Sequence, residues 1–505
     1  MTAQAEDVFE DFAGLPILQR SIEQGHVALL RASWLHGRSL ADPVNPLPRR
    51  QSLPPEAFWN DFGSLTGNVP SRLIVVSHFW PDGEHADPDC RMQELLAKMV
   101  EKHRQRLSLE HEHDMEFAVF LDWCSLYQHP RTPDQEAVYQ RSLQDMSAWY
   151  ASPSTTKWFM PSSSSPHVWP CLQRMLANLG CSESLMVEAS EAIESSFPRP
   201  PPSGCRGSPP ATPSAFNLLI ESKAFEHSHM VALSQRLYHK AFTSILGLQE
   251  WLDFSSRGWD DFNALRLAEV LVHSQHLVKL VLADNKITDV GMEAIATHLP
   301  GTLQILDISH NIIGDAGATC LANALCNLPE LRQLYISGNS FGELGFSALA
   351  SELPRCEKLS TLRAAKLGLG DSLQTLATVL PQCPSLQSLC LNENQMGSAA
   401  ASLLASTLTS FIEELQLDDN GIGDIGIRAI AGRFRDSAHL RLLSLSENCF
   451  GDSGAAALAR ALPSCPALRT LRVSFNHISP QALNRLRLAV PGLNLSAFGQ
   501  SARAR

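Results

Sequence analysis

The stretch Leu303-Gln304-Ile305-Leu306-Asp307-Ile308-Ser309-His310-Asn311 carries apolar side chains at its first, fourth and sixth places and an asparagine at its ninth. The same phrase, Leu-x-x-Leu-x-Leu-x-x-Asn with some substitutions, starts eight times, at Leu277, Leu303, Leu331, Leu359, Leu386, Ile412, Leu440 and Leu468. The starts are 26 to 28 residues apart. A fixed period of that size marks a solenoid, in which each unit is too small to bury its own apolar face and is completed by its neighbours.

Within a unit, places four and six lie on one side of a short strand and place one enters it, so these three side chains form core. Place nine holds Asn285, Asn311, Asn339, Asn394, Asn420, Asn448 and Asn476. An amide there satisfies backbone groups that the turning chain leaves unpaired. Leu367 occupies that place in one unit. Twelve residues after five of the starts come Asp289, Asp315, Asp371, Asp424 and Asp452, four of them followed two residues later by Gly291, Gly317, Gly426 or Gly454. An acid followed by helically spaced leucines, such as Leu321 with Leu325 or Leu458 with Leu462, reads as a helix entrance. Strand followed by helix makes neighbouring strands parallel. Strands stack about 4.8 Å apart and helices roughly 10 Å apart, so the stack must curve with its strands inside.

These residues resemble the ribonuclease-inhibitor type of leucine-rich repeat over about 249–495. Gln249, Leu252, Phe254 and Arg257 read as a degenerate unit ahead of the first clear one, its helix over 259–271 capping the core. The predicted fold class is α/β: a C-terminal leucine-rich-repeat horseshoe, parallel strands inside and helices outside, plus a small doubly wound α/β domain at the N-terminus. The expected divisions are an N-terminal extension, partly helical, over 1–70, the α/β domain over 71–195, a proline-rich linker over 196–214, a helical connector over 215–248, the repeats over 249–495 and a tail over 496–505.

A length of 505 residues predicts at least two domains. The formal charge of −12 disfavours nucleic acid or an anionic membrane as the main partner. Twelve cysteines without a Cys-x-x-Cys pair read as reduced thiols. The acidic start lacks a secretory core and no apolar run reaches membrane length, so the expected compartment is the cytoplasm.

Ahead of the repeats the pattern alternates: strand over 73–77, helix over 89–106, strand over 117–122, helix over 134–150, strand over 156–160. Function in such sheets gathers at the carboxyl ends of strands, here His78 and Trp80 after one strand and Asp122, Cys124 and Gln128 at the end of the next. Ser77, His78, Trp80, Asp122, Cys124, Gln128, Met146 and Tyr150 stand in an order that resembles the heterokaryon-incompatibility (HET) domain and its Toll/interleukin-receptor (TIR)-like relatives. It also resembles a family of protist and algal proteins that join such a domain to leucine-rich repeats. The resemblance spans roughly 70–175 and implies self-association or signalling, and, for some TIR members, cleavage of nicotinamide adenine dinucleotide. The glutamate on which such members rely has no aligned counterpart among Glu84, Glu94 and Glu136.

Cys124 and His78 would make a nucleophile and base if both strand ends converge; a buried thiol beside a hydrogen-bonded histidine is the alternative. Asp122 either holds a ribose hydroxyl or caps the next helix. The metal-capable residues around 78–90 and 111–114 lack zinc-ligand spacing, and the serines over 162–165 lack the glycines and lysine of a phosphate loop. No cofactor and no metal are expected.

On the horseshoe, places three, five and seven face inward and place eight lies at the rim. The expected partner-binding residues are Tyr335, Arg363, Lys366, Glu393, Glu414, Asp418, Asp419, Glu447 and Phe475, with the five acids forming a negative patch for a basic protein partner. The expected function is an interaction, sensor or scaffold protein that binds on the concave face and signals or assembles through its N-terminal domain. A nucleotide-hydrolysing TIR-like enzyme and a GTPase-activating scaffold are the alternatives.

Overall fold

The structure, a computed structural model, describes residues 16–59, 72–78, 87, 89–111, 116–152, 154–160, 168–180, 186–189, 209–222, 228–490 and 492–500. Trp80, Glu84, residues 162–165, most of the expected linker and residues 501–505 lie outside the described residues. The chain forms two compact units, Met1–Leu248 and Gln249–Arg505.

The first unit is built on a six-stranded sheet of β1 (Leu29–Arg31), β2 (Phe58–Trp59), β3 (Leu73–Ser77), β4 (Ala118–Leu121), β5 (Thr156–Phe159) and β6 (Met186–Glu188), ordered β2-β1-β4-β3-β5-β6. Strands β4, β3, β5 and β6 are parallel, with Val76 opposite Leu121 on one side and Trp158 on the other. The chain leaves β3 toward β4 and then crosses back over it to β5, the doubly wound pattern, and this puts the topological switch between β3 and β5. Successive strand residues face opposite sides. Ile74, Val76, Val119, Leu121 and Trp158 therefore join one core with Leu35, Met92, Leu96 and Val100 from helices Ala32–Ala41 and Arg91–His111. Phe120 points the other way and stacks on Trp149 of helix Pro133–Ala151, ring centroids 5.0 Å apart. That helix starts at a reciprocal cap, in which the Thr132 hydroxyl accepts from Gln135 N and the Gln135 side chain accepts from Thr132 N.

One expected boundary is corrected here. The segment set apart as an extension to residue 70 supplies β1 and β2, which pair antiparallel with each other and extend the sheet beyond β4. The helical connector over 215–248 could, by its sequence, dock on the first repeat or fold back onto the N-terminal domain; helix Ser228–Leu246 packs on helices Val168–Gly180 and Pro133–Ala151, within the first unit.

The second unit is a ten-stranded, wholly parallel sheet of β7 (Trp251–Asp253), β8 (Lys279–Val281), β9 (Ile305–Asp307), β10 (Gln333–Tyr335), β11 (Thr361–Arg363), β12 (Ser388–Cys390), β13 (Glu414–Gln416), β14 (Leu442–Ser444), β15 (Thr470–Arg472) and β16 (Asn494–Ser496). The place-four leucines stand in one register from Leu252 to Leu495, and those from Leu252 to Leu471 are buried.

Each asparagine ties its own rung to the one before. The Asn311 Nδ2 donates to the place-six carbonyls of Leu282 and Ile308 at 2.9 and 3.0 Å, while its Oδ1 accepts from Ile287 N at 3.1 Å. Asn285, Asn339, Asn394, Asn420 and Asn448 also combine donation to the preceding rung's place-six carbonyl with acceptance from its backbone N–H groups. The final unit, β16, uses glutamine instead: Gln500 Nε2 donates to Val473 O at 2.7 Å and its Oε1 accepts from Ile478 N at 3.3 Å. The repeats thus run to residue 500, past the expected end at 495.

The aspartates at the helix entrances act on a different helix from the one they begin. Asp289, at the first position of its own helix, accepts through Oδ1 from Gly314 N and Gly317 N of the next helix at 2.6 and 2.9 Å. Asp261, Asp315 and Asp424 do the same one unit on. The glycine two residues after each acid is now explained. A Cβ on Gly317 would stand 2.6 Å from Ile313 Cγ2 and 2.8 Å from Asp289 Oδ1.

Asn448→Ala strands a buried carbonyl and two buried N–H groups, and should lower unfolding free energy by about 2–4 kcal/mol in urea titrations. Asp424→Ala loses two charge-assisted bonds between repeats and should cost about 1.5–3 kcal/mol. Equal denaturation midpoints for wild type and both variants would contradict the two ladders.

Candidate functional site

Among the described residues, the carboxyl ends of β3 and β4 do not converge on an open reaction site. Ser77 Oγ donates to Gln173 Oε1 at 2.7 Å, Gln173 Nε2 donates to Tyr150 Oη at 2.8 Å, and Tyr150 Oη donates to Val76 O at 3.0 Å. All three side chains are buried, and they close the switch point with a chain of bonds that helix Val168–Gly180 shares with the sheet. Met146 is core.

Of the two readings of Cys124, its surroundings favour the buried thiol over the nucleophile. Cys124 belongs to one buried core with Leu30, Leu47, Ala57 and Leu121, and its thiol donates to Pro48 O at 3.3 Å. Burial, and then the Asp122 charge, push its ionisation far above the ordinary thiol range. A reactive cysteine needs the opposite shift. Asp122 Oδ1 accepts from Trp123 N at 2.9 Å at the start of a short helical turn, Asp122–Ser125, which favours capping over ribose binding. Gln128 Nε2 donates to the Asp122 and Leu126 carbonyls at 2.9 and 3.2 Å and so closes that turn. His78 sits one residue beyond β3, half-buried.

Alkylation of the native protein, read by mass spectrometry, should modify the exposed Cys326 and Cys449 and leave Cys124 untouched. Rapid modification of Cys124 would restore the nucleophile.

The second unit brings the remaining candidates onto one surface. Tyr335 and Arg363 are register partners on β10 and β11; the guanidinium lies 5.0 Å from the ring centroid and Tyr335 Oη donates to Gln333 Oε1 at 2.7 Å. Glu414 is exposed and accepts from Ser388 Oγ at 3.0 Å. Asp418 departs from the expected patch: it is half-buried and accepts from Ser444 Oγ at 2.6 Å and Ser446 N at 2.6 Å. Its charge is committed to the neighbouring rung.

Place eight has a conformation that the sequence did not disclose. Ser256, Asp284, His310, Lys366, Glu393, Asp419, Glu447 and Phe475 have φ between +49° and +58°, and Gly338 and Gly499 also have positive φ. This left-handed turn aims each place-eight N–H at the place-seven carbonyl of the next rung, as from Asp284 to Ser309 at 2.9 Å and from Phe475 to Phe498 at 2.7 Å. The side chain is then thrown outward. Lys366, Glu393, Asp419, Glu447 and Phe475 are all exposed, and the three acids among them carry no side-chain hydrogen bond or ion pair among the described residues. A side chain other than glycine costs about 1–2 kcal/mol in this conformation. Glu447→Gly should therefore leave thermal stability unchanged or raise it slightly; a clear fall in melting temperature would mean that the carboxylate has a structural bond.

Residues 273–296, 302–322, 410–431 and 436–459 match the family described as Leucine Rich repeat. The chain is 32% identical over 177 residues to the ribonuclease inhibitor of Sus scrofa, covering 33% of this chain and 38% of that protein. It is 30% identical over 183 residues to NACHT, LRR and PYD domains-containing protein 5 of Homo sapiens, 35% of this chain and 13% of that protein. To NACHT, LRR and PYD domains-containing protein 6 of Rattus norvegicus it is 36% identical over 118 residues, 23% of this chain and 13% of that protein. The chain thus spans well under half the length of these relatives. The second unit is built of leucine-rich repeats, similar to those of ribonuclease inhibitor. No helix among the described residues is long and apolar enough to cross a membrane.

Proposed function

We propose that this is a cytoplasmic interaction protein that holds a protein partner on the concave face of its repeats and signals or assembles through its N-terminal α/β unit. One observation carries the reading: at the rim of the concave face, place eight projects a row of charged and aromatic side chains that the repeat's own hydrogen bonds do not use. A rigid parallel sheet preorganises that row, so little entropy is lost on binding. The relatives support it by their printed names, one as an inhibitor of ribonuclease and others as carriers of leucine-rich repeats beside NACHT and PYD domains. A HET/TIR-like role for the first unit, including self-association, belongs to the same proposal. The fully buried Cys124 disfavours thiol chemistry there.

A photo-crosslinking residue placed at Arg363 or Glu414 of the full chain should capture a discrete partner. The same residue at Arg428 on a helix, or at Thr319, should not. Equal capture from strand and helix positions would contradict concave-face binding.

A further inference from the structure

The last rungs expose two large aromatic side chains, Phe475 at 57% and Phe498 at 74%. The Phe475 ring rests on Gly499, where an added Cβ would stand 2.3 Å from Cε1. Glycine at 499 thus leaves room for the ring on the final rung, where the Phe498 carbonyl accepts from Phe475 N. Phe475 itself takes the left-handed conformation, φ +54°. An anchored yet exposed ring presents contact area at low entropic cost.

What covers this apolar patch is indicated by the charges that continue from it. Glu447, Asp419 and Glu393 follow rung by rung and then the sign reverses at Lys366. Rungs are about 4.8 Å apart. Side chains on one face of an α-helix recur every three or four residues, about 5–6 Å apart, and so stay close to step with the rungs. Side chains on one face of an extended strand recur every two residues, about 6.8 Å, and fall out of step within two rungs. Four intervals make about 19 Å, the length of roughly 13 helical residues.

We propose that rungs 366–498 dock an amphipathic α-helix of a partner protein, laid across the strands. Its apolar end sits on Phe475 and Phe498, and lysines or arginines at successive turns face Glu447, Asp419 and Glu393. This inference rests on the proposed concave-face binding and names its partner's chemistry.

The test uses the full chain and a fluorescein-labelled helical peptide carrying leucine at its first place, lysines four, seven and eleven residues on, and glutamate at its end. Comparison peptides are a scrambled sequence of the same composition and a copy with a central proline that forbids the helix. Fluorescence anisotropy should show the designed peptide binding at least about tenfold more tightly than either, the sum expected of several exposed ion pairs and one aromatic contact. Affinity should fall with salt. It should be lost in Phe475→Gly and in the Glu393→Gly, Asp419→Gly, Glu447→Gly variant, substitutions suited to a left-handed backbone and therefore compatible with folding. Equal binding of the designed and scrambled peptides, or indifference to Phe475→Gly, overturns the proposal. A partner that crosslinks only to rungs 251–335 would uphold concave-face binding and still overturn this inference.

Discussion

A buried asparagine amide that bonds to two consecutive turns of backbone is the interaction on which the second unit depends. Each strand has three residues, too few to hold a sheet through ladder bonds alone. Past the strand the backbone must turn, and the carbonyls and N–H groups of that turn are buried in the core. Leaving one such group unpaired costs about 1–3 kcal/mol. The place-nine amide bonds three to five of the turn's backbone groups at once and joins neighbouring rungs while doing so. The aspartate at the helix entrance does the equivalent work on the outer side, capping the following helix. Strand side and helix side are therefore fastened to their neighbours by side chains at fixed places of the repeat.

The exposed place-eight row, the proposed binding surface, follows from that fastening. With place nine buried under the rung, the chain can enter the turn only if place eight adopts a left-handed backbone, and this sends the place-eight side chain outward. Gly338 and Gly499 show what the geometry alone asks for. Lysine, glutamate and phenylalanine at the same place are then side chains carried at a conformational cost, and they line one edge of the sheet in chain order. Asp418 marks the contrast one place earlier, where a carboxylate turns to Ser444 and Ser446 and strengthens the stack instead.

Much of this was legible in the sequence because the repeat is local. Eight phrases fixed the strands β8 to β15 and the burial of their leucines, and Asn285 through Asn476 were readable as satisfying the turn. The direction of the aspartate bonds was not, since Asp289 and Gly314 belong to different units and composition says nothing of which helix a carboxylate reaches. The tenth rung escaped because Gln500 replaces asparagine and Ala497 replaces the place-six leucine. In the first unit the alternation of strand and helix from 73 to 160 was readable, whereas β1 and β2, three and two residues long and antiparallel, leave no period to detect. Cys124 looked like a candidate from its place after a strand; only the core it shares with Leu47 and its bond to Pro48 O, both far away in sequence, show it to be buried.

The two ladders are interrupted together in one region, while Ser398 stands for the aspartate in a later unit and, among the described residues, accepts from Gly423 N alone. Leu367 stands where asparagine would, and Glu343 replaces the helix-entrance aspartate of its unit with no carboxylate bond to the next helix among the described residues. If side-chain bonds between rungs hold the solenoid together, that region must open most easily. Amide hydrogen exchange measured along 249–500 tests this most directly. Strong protection is expected for the N–H groups bonded to the asparagines and aspartates, Leu367 N among them, with minima at Phe341 and at 370–373, where an asparagine at 367 and an aspartate at 343 would have accepted. Uniform protection across that region, or a deeper minimum within 394–454, would contradict the account.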